Sequence, residues 1–279
     1  MFIKCWGSRG SIPVSGREVL KYGGDTTCLE IRAASGDIII VDAGTGIRRL
    51  GNQLAEEKQY NFNFIFTHAH WDHIMGFPFF KPLYHRKSVF NMHQCPYHNK
   101  FVESILSKVM AYPHFPVMYN DVKARMQYEM ACPYTFEIGS VTVTPFPLSH
   151  PNGGSGYKFA ENGKSFVFLT DNELGFIHPG GRSYKDYLKF SAGADLLIHD
   201  AEYTPQEYKT FIEWGHSKYT DALQLAEEAG VNELGLFHTN QDRTDDAMDE
   251  ILDICQKHIY QKNLDFKCSA VGSDMTFEL

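Results

Sequence analysis

What the chain lacks narrows the answer first. No run of about 18 apolar residues occurs anywhere in its 279, so no membrane-spanning helix is predicted. The opening MFIKCWGSRG carries a Lys and an Arg but no apolar stretch, so no signal peptide is predicted either. Six cysteines (Cys5, Cys28, Cys95, Cys132, Cys255, Cys268) are scattered and form no CxxC pair. In a chain this long, that usage points to reduced thiols and a cytoplasmic location rather than to a disulfide framework. Basic charge is also short: 26 Lys and Arg face 34 Asp and Glu, a net charge of −8. The footprint of a nucleic-acid binder is therefore missing. No internal repeat or low-complexity tract appears.

What is present is an ordinary globular composition, 43% hydrophobic and 22% charged. Short β-rich runs alternate with helical spacings. FIKCW, TTCLEIRA, DIIIVDA and NFNFIFT read as strands in the first half, with a helix over GTGIRRLGNQLAEEK. KSVFNM reads as a strand and KFVESILSKVM as a helix. YTFEIGSVTVTPFPL reads as two strands around Gly139. SFVFLT, ADLLIHD and NELGLFH are further strands. Helices are predicted over TDALQLAEEAG, closed by Gly230, and over DDAMDEILDICQKHIY, opened by Thr244. Two groups of strands, each interleaved with helices, predict an α/β fold in which two mixed sheets pack face to face with helices outside. A single domain over 1–279 is expected, with 85–133 as an insertion.

The densest chemistry lies in FTHAHWDHIMGF. His68, His70, Asp72 and His73 fall within six residues, directly after a buried strand. Imidazole and carboxylate together suit zinc, with manganese and iron as alternatives. Four donors so close in sequence cannot all hold one ion and leave an open position. The split into His68 with His70, and Asp72 with His73, points to two ions. Further donors stand at later strand ends: His150 in LSHPNG, Asp171 in LTDNE and His238 in LFHTN.

In this order these residues resemble the metallo-β-lactamase superfamily, and the resemblance spans nearly the whole chain. VDAGTG at 41–46 resembles that family's turn into its first helix. CWGSRGSIP with YGGDTTCLEI resembles the start of a phosphodiesterase-like group within it. The resemblance implies a four-layer αβ/βα sandwich and two divalent ions per chain. His68, His70 and His150 would hold one, and Asp72, His73 and His238 the other, with Asp171 bridging both. Two such ions share a bridging hydroxide and lower the pKa of its parent water, a tool for hydrolysis. Relatives that reduce oxygen carry Glu at the second position of the first motif, where this chain has His70.

Two further stretches narrow the chemistry. LLIHDAEYT and GHSKYTDALQL resemble the His-Glu-Ala-Thr and His-Ser/Thr motifs of ribonuclease Z and related phosphodiesterases. Carried over, His216 would give a proton or hydrogen bond to the phosphate or leaving oxygen, and Asp200 would hold its tautomer. Asp72, His216 and Asp200 are thus the candidate catalytic residues. The chain departs from the motif with Asp at 200 and with Glu202 in place of Thr. The tRNA-processing members carry a long arm between the equivalents of His150 and Asp171, which here are only 21 residues apart. A small cyclic or linear phosphodiester is therefore the expected substrate. The alternatives are lactone, thioester or ester hydrolysis at the same site, or a metal-containing sensory or binding module.

Other features weigh less. Asp42 reads as a backbone-bonding turn residue beside the site, and His199 as a local packing residue. The aromatic AYPHFPVMY (111–119) serves equally as a ring-stacking surface, a lid or a homodimer contact. His93, Cys95 and His98 have part of a structural zinc spacing without a clear fourth ligand.

Overall fold

Alternation along the strands builds the layers. In Ile38–Val41 all four residues are buried, yet Ile39 and Val41 join one apolar cluster while Ile38 and Ile40 join another. In Lys164–Leu169, Phe166 and Phe168 share the first cluster, while Val167 and Leu169 belong to a third. Strands buried on both faces in this way must sit between two covering layers.

The computed structural model describes residues 1–93, 102–129 and 134–279. The strands are β1 Phe2–Gly7, β2 Cys28–Arg32, β3 Ile38–Val41, β4 Asn61–Ile65, β5 Val89–His93, β6 Arg125–Glu129, β7 Phe136–Ile138, β8 Val141–Pro147, β9 Ser155–Glu161, β10 Lys164–Leu169, β11 Leu196–Asp200, β12 Glu233–Phe237, β13 Lys267–Ala270 and β14 Thr276–Glu278. The helices are α1 Ile47–Glu56, α2 Trp71–Ile74, α3 Val102–Val109, α4 Tyr184–Ser191, α5 Pro205–Tyr208, α6 Tyr219–Ala229 and α7 Asp245–Gln261.

Two seven-stranded sheets form, in the orders β14-β1-β2-β3-β4-β5-β6 and β13-β12-β11-β10-β9-β8-β7. Both are mixed. β3, β4, β5 and β6 run parallel in the first, and β10, β11, β12 and β13 in the second. The inter-sheet core joins Ile3, Ile31, Ile39 and Ile65 to Phe159, Phe166, Phe168 and Phe237. Outside the first sheet, Ile47, Leu50 and Leu54 of α1 pack on Ile40, Phe62 and Phe64. Outside the second, Leu223 and Ala226 of α6 and Met248 and Ile251 of α7 pack on Leu197, Leu234 and Leu236. The four layers are therefore those expected from the strand grouping. Among the described residues, no helix is long and apolar enough to cross a membrane.

Both predicted helix boundaries hold. Thr244 accepts a hydrogen bond from Ala247 N at the start of α7, and Gly230 ends α6 at a φ of 62°. Some elements carry little signal in the sequence. β9 follows a Gly-rich run that reads as loop, and β13 and β14 are only four and three residues long, held by pairing with β12 and β1. Helix α4 does have a local signal, the capping box of Ser183 and Asp186. β5 and β6 extend the first sheet at its edge.

Phe168 is fully buried and meets Phe237 at a centroid distance of 5.2 Å across the inter-sheet core. Phe168→Ala is expected to cost about 3–5 kcal/mol in urea unfolding of chelator-treated protein. A loss below about 1 kcal/mol would show that the sheets are not packed as described.

Candidate metal centre

Parallel strands bring their carboxyl ends to one edge, and the histidines and aspartates lie there. Thr67 and His68 follow β4, beside the end of β3 where Asp42 sits. Asp42 accepts hydrogen bonds from Thr67 N (2.8 Å) and the Thr67 hydroxyl (2.7 Å), which turns the chain into His68. Asp72 and His73 lie on α2, whose backbone presses on the loop after β3. Ala43 N donates to His73 O at 2.7 Å, and a Cβ on Gly44 would stand 2.2 Å from Asp72 O. VDAGTG needs its first glycine for this close approach.

The second sheet supplies the rest. His150 follows β8, Asp171 follows β10, Asp200 ends β11 and His238 follows β12. Asp171 and His238 hold left-handed backbone at φ 51° and 59°, as Asp42 does at 62°. Such conformations cost roughly 1–3 kcal/mol each and concentrate at functional sites. His216 and Ser217 precede α6. The Arg9 guanidinium donates to the Gly23, Asn240 and Arg243 carbonyls, which pins the SRGS loop over the site. There Ser11 N donates to Asp72 Oδ2 at 2.9 Å, and a Cβ on Gly10 would stand 2.4 Å from the His238 ring.

The seven expected ligands converge on Asp171. Its carboxylate lies 3.5 Å from His68 Nε2, 3.1 Å from His73 Nε2, 3.7 Å from His150 Nε2 and 3.4 Å from His238 Nε2. Asp72 Oδ2 lies 3.3 Å from His73 Nε2 and 3.2 Å from His238 Nε2, and His70 Nδ1 faces His150 Nε2 at 3.0 Å. Two donor groups result, His68–His70–His150–Asp171 and Asp72–His73–Asp171–His238, each with its donor atoms within 4.8 Å of one another.

The donor chemistry fits divalent cations. Among the described residues, His68 Nε2 and His73 Nε2 are buried without a hydrogen-bond partner, and both face Asp171. Buried polar atoms in proteins are as a rule partnered, and two unpartnered imidazole nitrogens aimed at one carboxylate are the arrangement a cation-binding site needs. The far nitrogens are already occupied: His73 Nδ1 donates to Asp42 (2.7 Å), His150 Nδ1 to the Gly215 carbonyl (2.9 Å) and His238 Nδ1 to Glu202 (2.9 Å). Such outer contacts fix the tautomer and aim the other nitrogen at a metal.

Charge is tightly coupled here. Burial opposes an ionised Asp171, but His238, His73 and His68 hold it well below the usual carboxylate range. Burial opposes protonated His73 and His238 too. Asp171, Asp72 and Asp42 nevertheless raise His73, while Asp171, Asp72 and Glu202 raise His238. His150 is pushed down to about 3, chiefly by burial. The carboxylates thus favour positive charge at His73 and His238, which is the charge a cation held there would supply.

His216 stands beside this cluster. Its Nδ1 donates to Asp200 at 2.7 Å, and Ser217 N donates to the other Asp200 oxygen at 2.9 Å. The ring stacks on His238 at 4.5 Å and meets His150 edge-on at 5.2 Å. Burial opposes its charge, yet Glu202 and Asp200 raise it to about 9.

Three contributors go beyond the motif reading. Asp42 bonds backbone, as expected of a turn residue, and also orients His73. Glu202 contacts His238 and lies 3.4 Å from His216 Nδ1. Glu173, buried in LTDNE, accepts from Tyr208 OH (2.6 Å), His178 Nε2 (2.8 Å) and the backbone N of Glu213 and Gly215 (2.9 and 2.8 Å). It thereby sets the Gly215 carbonyl that His150 uses. An acid directly after Asp171-Asn172 was the available signal. His199 bonds locally, with Nδ1 donating to Asp200 O and Nε2 facing the Asn172 amide. His93 contacts Asn63, and Cys95 and His98 lie outside the described residues.

A family model described as "Beta-lactamase superfamily domain" matches residues 38–239. Ribonuclease Z of Oceanobacillus iheyensis is 23% identical, over 68% of this chain and 75% of its own length. Among solved structures, the metallo-β-lactamase fold protein YhfI of Bacillus subtilis aligns over 100% of this chain and 99% of its own, at 17% identity and a TM-score of 0.67. A diphosphatase of the PhnP family aligns over 100% and 97%, at 18% identity and a TM-score of 0.66. The match over residues 38–239, joined to the four-layer fold and its His/Asp cluster, places this chain in the β-lactamase superfamily as a hydrolase with the metallo-β-lactamase fold.

Proposed function

We propose that the protein is a dinuclear metal-dependent phosphodiesterase acting on a small cyclic or linear phosphodiester. The observation that carries this reading is the Asp200–His216 pair, bonded at 2.7 Å, whose imidazole lies against a ring of each donor group, His238 at 4.5 Å and His150 at 5.2 Å between centroids. When bound, two divalent cations would supply the charge that activates a water and offsets a phosphoryl group. His68, His70 and His150 would hold one, Asp72, His73 and His238 the other, with Asp171 shared. His216 then does what the ligands cannot: it offers a proton or hydrogen bond from Nε2 to the phosphate or its leaving oxygen. Asp200 fixes the ring by accepting from Nδ1, and Ser217 N fixes Asp200 in turn. A carbonyl substrate has no need of such a partner, which weighs against ester, lactone or thioester cleavage.

The surroundings of the site support a small substrate. The short span between His150 and Asp171 is mostly the β9–β10 hairpin of the second sheet, which argues against an RNA-gripping arm at this place. Large apolar side chains flank the site residues and face solvent: Trp71 between His70 and Asp72, Ile12 beside Ser11, and Ile212 and Trp214 just before Gly215. Such side chains offer apolar surface to an aromatic substituent on the phosphate. The ribonuclease Z relatives favour an RNA substrate as a second reading, which the net charge of −8 opposes.

With zinc- or manganese-loaded protein, turnover of bis-(p-nitrophenyl) phosphate or of cyclic nucleotides is expected, and little of precursor tRNA. Lactone or thioester cleavage without any phosphodiester turnover would overturn the reading. His216→Ala is expected to retain its metal while kcat falls about 10²–10⁴-fold. Loss of metal from this variant would instead make His216 a ligand. Asp171→Ala is expected to lose metal and activity together, as measured by elemental analysis beside the kinetic assay. A fully metallated Asp171→Ala protein would remove Asp171 from the ligand set.

A further inference from the structure

The imidazoles that face Asp171 are backed by partners of different charge. In the His68–His70–His150 group these partners are neutral. His68 Nδ1 lies 3.1 Å from the Thr67 hydroxyl, and His150 Nδ1 donates to the Gly215 carbonyl at 2.9 Å. In the Asp72–His73–His238 group they are carboxylates. His73 Nδ1 donates to Asp42 at 2.7 Å, and His238 Nδ1 donates to Glu202 at 2.9 Å. Asp72 adds a further carboxylate to this second group, whereas the first has none besides the shared Asp171.

This asymmetry has a physical consequence. An imidazole that donates to a carboxylate is a better donor at its far nitrogen than one that donates to a neutral oxygen. Added negative charge in a buried, weakly screened setting also attracts a cation more strongly. Both effects favour the same group.

Asp42 belongs to the VDAGTG turn. Glu202 is different, because it stands where the motif it resembles carries Thr. It is also firmly held. Its side chain is buried, and Oε1 accepts from Asn240 Nδ2 at 2.8 Å. Its carbonyl accepts from Arg243 Nη2 at 3.1 Å, and its N donates to Asp200 Oδ1 at 3.3 Å. A Thr at this place would lack the carboxylate.

We propose that Glu202 is a positioning carboxylate that makes Asp72–His73–His238 the tighter cation position, filled before His68–His70–His150. The inference rests on the two-ion reading above and is independent of the substrate.

The test is a zinc titration of the full chain, stripped with chelator and read against a competing chromophoric chelator. Two steps are expected in the native protein. Asp72→Ala should lose the tighter step and His70→Ala the weaker one. Glu202→Gln should weaken the tighter step by about 10–100-fold and leave the weaker step unchanged. Glu202→Thr, which restores the motif residue, should do the same, with circular dichroism in chelator reporting that each variant is folded. A purely structural role would weaken both steps or neither, and either result overturns the proposal. So does a tighter step that survives Asp72→Ala. A single zinc, lost in both Asp72→Ala and His70→Ala, overturns the two-ion reading along with it. The expected pair of steps in a protein that turns over no phosphodiester would uphold the role of Glu202 and remove only the substrate reading.

Discussion

A buried carboxylate among imidazoles governs the molecule. Asp171 is 1% exposed and has four histidine nitrogens within 3.1 to 3.7 Å. An ionised group in that position is tolerated only with compensating positive charge around it. Cations held by the surrounding imidazoles would provide it. The left-handed backbone at Asp171 and His238 is the local cost of aiming these groups at one point, offset by the packed sheets behind them.

The fold exists to present strand ends. Parallel pairing of β3 with β4, and of β10, β11 and β12 with one another, puts Asp42, His68, Asp171, Asp200 and His238 on one edge. Each sheet contributes part of the centre, so the site closes only when the inter-sheet core forms. The loops then interlock. The SRGS loop is clamped by Arg9 and reaches Asp72, and the 208–215 segment is tied to Glu173 and reaches His150. The sequence segments that carry no ligand of their own act as braces for those that do.

Much of this was legible beforehand, and the remainder has physical reasons for being hidden. His68, His70, Asp72 and His73 announce themselves by spacing. His150, Asp171 and His238 do so only by standing after apolar runs that read as strands. The four layers follow from two strand groups. Glu202 and Glu173 were harder, because an outer partner is defined by what it touches across the fold rather than by any spacing. Asp42 showed half of its role: its backbone bond to Thr67 is the ordinary behaviour of a turn aspartate, while its contact with His73 depends on α2 folding back over Gly44. β9 was masked by the Gly-rich segment before it, and β13 and β14 are too short to show a period. Their positions are set by neighbours already in place.

The central claim is that two cations share Asp171. Anomalous diffraction at the zinc edge, from crystals of the metal-loaded protein, addresses it directly. Two peaks about 3.5–4 Å apart are expected, one within reach of His68, His70 and His150 and the other within reach of Asp72, His73 and His238, with Asp171 between them. A single peak under the same loading, or a pair in which Asp171 touches only one ion, would contradict it.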